Sequence, residues 1–144
     1  MPRLYFETDR REACPVEFGG ASDVLVYFLS LAYSTRYGSI HPYSQLALLL
    51  RGHEYAIDLK PLLTFADRDV EEAADQAELD RVWQDAAPLA ATAAAVCAAF
   101  DAGDPRIAEL TADGPDLRAR LDDLRRMAEW AAALGARVRL SFEL

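Results

Sequence analysis

The 144-residue sequence predicts an α+β fold, and three observations carry that prediction. Period-two alternation of apolar residues marks both ends of the chain. Runs bracketed by Ser, Pro and Gly fill the interior as helices, and no Ser/Gly linker divides them. Together they predict one domain over residues 1–144: a small three-stranded sheet of N-terminal, middle and C-terminal strands, covered on one face by five to six mostly antiparallel helices. At this length roughly 70% of the unfolded surface can be buried, so a core forms without disulfide or metal staples.

The first strand is Arg3 to Thr8, where Leu4 and Phe6 alternate with polar neighbours. Ser22 caps a run from Asp23 to Tyr37 that stops at Gly38. Its segment Val24 to Leu29 also suits a central strand, and the length and the Ser/Gly brackets decide for helix. Pro42 to Arg51 starts on a proline and ends at Gly52, a second helix. The middle strand is Glu54 to Leu59, with Tyr55, Ile57 and Leu59 on one face and Ala56 and Asp58 on the other.

An acidic helix is expected from Asp67 or Asp69, because Asp69 and Glu72 have the spacing of a capping box and early acids suit the positive helix end. Its apolar face is Val70, Ala73, Ala77, Leu79, Val82, Trp83 and Ala86, and Pro88 kinks or restarts it with Asp85 as a cap. Eight of the fifteen residues from Pro88 to Ala102 are alanine, which favours helix and close approach of a neighbouring helix. Gly103 ends it, and Asp104-Pro105 opens a short turn of helix. After Gly114-Pro115-Asp116, residues Leu117, Leu121, Leu124, Ala128 and Ala131 step at helical spacing to a stop at Gly135. This seam spans little over two heptads, so it is read as packing within the chain rather than as a coiled coil. Val138, Leu140, Phe142 and Leu144 alternate as the last strand.

Charge narrows the function classes. With 24 acids against 15 bases the chain carries a formal −9, the wrong sign for nucleic acid or an anionic membrane surface. The longest apolar run is about half of the roughly 20 residues a membrane span needs. Acids stand at the N-terminus where a signal peptide has its apolar stretch, so a cytoplasmic location is expected. Cys14 and Cys97 are expected to be free thiols. Between Asp67 and Asp85 eight acids face only Arg68 and Arg81. Such a segment can steer a basic protein partner. Its candidate contacts are Asp69, Glu71, Glu72, Asp75, Glu78 and Asp80.

All six tyrosines and both histidines fall in the first 60 residues. Tyr33, Arg36, Tyr37, His41, Tyr43, His53 and Asp58 are therefore the candidate ligand contacts, since aromatic rings with polar tips and an arginine favour interfaces and small pockets. No catalytic motif stands in the sequence. Cys14, His53 and Asp58 are the residue types of a nucleophilic triad but have no local context for it. Gly19-Gly20-Ala21-Ser22 lacks the lysine of a phosphate loop. His41 and His53 sit at opposite ends of one helix, roughly 15 Å apart, so no metal and no cofactor are expected. The reading is a non-catalytic cytosolic interaction module, a small acidic adaptor or inhibitor-like protein with an unknown, basic partner. Open edges of a short sheet also lead us to expect a homodimer. The rival is a small-molecule-binding domain or small enzyme with its site in the Tyr/His-containing N-terminal half.

Overall fold

The strongest strand signal in the sequence becomes the centre of the sheet. In the computed structural model, which describes residues 1–34 and 40–144, β4 (Arg137–Glu143) is flanked on both sides. β1 (Arg3–Thr8) runs antiparallel along one edge, in register from Arg3 opposite Glu143 to Thr8 opposite Val138. Two three-residue strands share the other edge. β2 (Phe65–Asp67) pairs parallel with Leu140–Phe142, and β3 (Trp83–Asp85) pairs antiparallel with Arg137–Arg139. The described residues thus form an α+β fold with six helices around a four-stranded mixed sheet.

The alternation in β4 and β1 sorts the two sheet faces. Leu4, Val138 and Leu140 are buried toward the helices. The other face is a polar network in which Glu7 accepts from Arg68 at 3.1 Å and from Arg139 at 2.9 Å. Arg68 lies over the Tyr5 ring at 4.0 Å, and Arg139 over Trp83 at 4.6 Å.

On the helical side, α1 (Asp23–Tyr33) and α2 (Pro42–Arg51) pack together and bury Leu25, Phe28, Leu29, Leu46 and Leu50. α4 (Ala86–Asp101) and α6 (Leu117–Ala133) form the largest helix pair. Ala86, Ala90 and Ala93 of α4 are buried, as are Leu117, Leu121, Leu124, Ala128 and Ala131 of α6. The heptad-like spacing is a seam inside this chain, closed by small residues that let the axes approach. The short α5 (Pro105–Leu110) starts at Asp104, whose carboxylate accepts the Arg106 N–H at 2.9 Å. Gly103 and Gly135 take φ of +78° and +64°, the left-handed conformation expected after a helix.

Three expectations change. Glu54 to Leu59 is not a strand: Ala56 has φ +49°, and the segment bonds back onto α2 through Ala56 N–H to Gly52 O and Ile57 N–H to Leu50 O. Its alternation records the half-burial of Tyr55 and Ile57 and the full burial of Leu59 along an irregular path. The strands that fall between β1 and β4 in the sequence are β2 and β3 instead, and both lie at the sheet's edge.

The acidic helix, α3 (Ala73–Arg81), begins at Glu72 rather than near Asp67 or Asp69, because Phe65–Asp67 is drawn into the sheet. The capping box is therefore Glu72 with Asp75. Trp83, expected on the apolar face of that helix, instead pairs with Arg139 in the sheet. Of the kink or restart expected at Pro88 the restart occurs, with Asp85 at the N-cap position of α4 and Pro88 in its first turn. Tyr37 and Gly38, the expected end of the first helix, lie outside the described residues.

Candidate functional site

The acids of the β2–α3 region divide by what they do. Asp75 accepts the N–H groups of Glu72 at 2.9 Å and Glu71 at 3.0 Å, and these bonds hold its carboxyl below the usual aspartate range. Asp80 accepts from Gln76 at 2.9 Å and lies 3.6 Å from Arg139, and Glu78 pairs with Arg81. Arg68, the base in the midst of the run, turns away to Glu7. That leaves Asp69, Glu71 and Glu72 exposed, with Asp67 accepting the Asp69 N–H at 2.8 Å. These residues form an acidic knuckle at the N-terminal end of α3. Of the helix only Leu79 is fully buried, so the knuckle projects from a single apolar anchor.

The candidate ligand contacts do not converge on one point. Tyr43 is a core residue, edge-on to Phe28 at 6.0 Å, and its hydroxyl occupies the place a Cβ on Gly114 would take. Burial first, then Asp113 and Asp23, push its pKa up. His41 caps α2, its Nδ1 accepting the Tyr43 N–H at 3.0 Å. His53 is exposed in the turn after α2. Beside it Asp104 joins Tyr55, at 2.8 Å from its hydroxyl, to Arg106, which in turn grips Glu54. Arg106 and Tyr55 hold the Asp104 carboxyl far below the usual range, and the same Asp104 contact raises Tyr55. Arg36 and Tyr37 lie outside the described residues.

Tyr33 and Asp58 do come together, on the wall of an open groove of about 620 Å³ that also holds Arg51, Lys60 and Leu63. Asp58 accepts the Lys60 N–H at 3.0 Å, a turn-forming bond, and Tyr33 leans on Phe65 at 5.8 Å. A second groove of about 580 Å³ was not anticipated from sequence. It lies between β1 and residues 14–22, with Leu4 and Phe6 on one side, Val16 and Phe18 on the other, and Met127 of α6 against it. The half-buried Cys14 lines it, whereas Cys97 is buried in α4. Both thiols are free. The only sequence signal for this groove is the pair of apolar residues Val16 and Phe18 in a stretch with no helix or strand periodicity.

Among the described residues no group of three or more His, Cys, Asp or Glu side chains is placed to hold a metal ion. Nor, among them, is any helix long and apolar enough to cross a membrane. In comparisons with known proteins the chain matches no family model, no curated protein and no solved structure.

Proposed function

We propose that this chain is a non-catalytic protein–protein interaction module, an acidic adaptor or inhibitor-like protein of the cytoplasm whose knuckle meets a basic partner surface. The observation that carries the reading is the division of labour among its acids. Asp69 and Glu71 extend into solvent with their carboxylates uncommitted among the described residues, while the neighbouring Arg68 is engaged with Glu7. An exposed cluster of one sign raises association rates with an opposite surface and does so less as salt rises.

The test is capture from native lysate by the tagged chain and by its Asp69→Lys/Glu71→Lys double variant. A stoichiometric basic partner retained at low salt, released at high salt and lost with the variant supports the reading. Equal retention by both proteins rejects it.

Homodimerisation belongs to this reading as well, supported by Tyr27, Tyr33 and Leu48, which leave α1 and α2 with large side chains about half exposed. Light scattering gives the molecular mass directly, and a monomer at high concentration removes the dimer. The Tyr33 groove favours a second reading, a small-molecule site built from the ring, Asp58 and Lys60. A thermal-shift screen against metabolites tests it, with Lys60→Ala abolishing any shift.

A further inference from the structure

We infer that the groove beside β1 binds an extended peptide segment of a partner protein by strand addition, a site beyond the acidic knuckle and on the opposite side of β4 from β2. The backbone of β1 carries the argument. The Asp9 N–H bonds Arg137 O, and the register then turns the amides and carbonyls of Arg3, Tyr5 and Glu7 toward β4. Those of Leu4, Phe6 and Thr8 face outward. Ser22 Oγ accepts the Leu4 N–H at 3.0 Å, which fixes this assignment. The outward N–H and C=O of Phe6 take no protein partner among the described residues, and Phe6 is one of the residues lining the groove.

A strand edge with an open N–H and C=O, as at Phe6, beside apolar walls is the template that extended peptides use, with main-chain bonds for affinity and side-chain pockets for selectivity. Here Val16, Phe18 and Met127 supply an apolar pocket within a groove of about 580 Å³. That volume lies inside the roughly 300–1,000 Å³ range of binding clefts. The far wall is fastened in place. Buried Asp123 accepts the Gly19 N–H at 2.9 Å and the Arg126 guanidinium at 2.8 Å, and Ser22 ties the other end to β1.

The same wall selects the occupant. A strand that is part of another folded sheet, including β1 of a second copy, brings neighbours on its outer side that would collide with residues 14–22. A lone extended segment paired at Phe6 and Thr8, beyond the Ser22–Leu4 bond, has no such outer neighbours.

The experiment pans displayed random peptides of about eight residues, somewhat longer than a typical strand, against the full-length protein. Selected peptides are then synthesised and their complexes followed by amide hydrogen exchange. We expect the Phe6 N–H to gain protection of about tenfold or more, one added hydrogen bond's worth, while the Tyr5 N–H, already bonded to β4, stays unchanged. N-methylation at alternate peptide positions should abolish binding in one phase of the alternation and leave it intact in the other. Failure to select any binding peptide, binding without Phe6 protection, or an N-methyl scan without period two would each overturn the inference. Because every readout is at β1, a negative result leaves the acidic-knuckle reading standing, and the reverse also holds.

Discussion

At the scale of single residues, equal charges have unequal work. Asp75 holds two backbone N–H groups that open α3, whereas among the described residues the Asp69 and Glu71 side chains have no such duty. Asp75→Lys should lower the thermal midpoint and the helical circular dichroism, while Asp69→Lys/Glu71→Lys should leave both unchanged. Equal losses in the two proteins would mean that the capping geometry has no energetic weight. Gly114 is constrained in another way. A Cβ there would collide with the Tyr43 hydroxyl and press on Val24, and the Tyr43 ring is itself held edge-on to Phe28. Gly114→Ala should therefore cost about 2 kcal/mol by overpacking, read from urea unfolding. Recovery of that loss in a Gly114→Ala/Tyr43→Phe double variant would locate the clash at the hydroxyl.

Among the elements, α4 shows how alanine content works through packing. Ala93 is fully buried in the helical core, and Ala91, two residues earlier on the same helix, is exposed. Both positions favour helix equally by propensity. Ala93→Leu should destabilise by about 1–3 kcal/mol because the interior has no space for added methylenes, and Ala91→Leu should be neutral within about 0.5 kcal/mol. Chemical denaturation of the two variants decides this, and similar losses would show that helix propensity rather than close approach governs α4. Capping-box spacing is more ambiguous at this scale. Asp69 with Glu72 and Glu72 with Asp75 are both three residues apart, and only pairing of β2 with β4 determines which one starts the helix.

For the whole molecule, the dominant electrostatic pattern is acids held by arginines. Asp104 and Glu54 contact Arg106, Asp101 contacts Arg118 and Asp122 contacts Arg125, and every one of these carboxyls is shifted below its ordinary value. A carboxyl with a depressed folded pKa stabilises the fold above its unfolded pKa, about 3.9 for Asp and 4.3 for Glu. That stabilisation is lost as pH falls through the folded values. The urea midpoint should therefore be level near neutrality and decline steadily below about pH 4.5. Asp104→Asn should lower the midpoint at neutral pH and narrow its gap to the parent protein in acid. A gap that stays constant from pH 7 to pH 3 would show that the Asp104–Arg106–Tyr55 contact contributes nothing through charge.

The sequence by itself determined the terminal strands, most of the helical runs and the apolar seam along α6, because each depends on a periodicity or a cap within a few neighbouring residues. Leu117, Leu121 and Leu124 reach the core as their spacing requires, and Val138 and Leu140 do the same at period two. Tertiary structure alone decided where the short strands lie. Phe65–Asp67 and Trp83–Asp85 are too brief to carry a pattern and exist because β4 offers them a free edge. It also decided the sites. Tyr33 and Asp58 line one groove, Tyr43 sinks into the core, and Phe6 lines another groove with Val16 and Phe18. Local periodicity reports which side of an element is apolar, whereas a groove is the space left between elements distant in sequence.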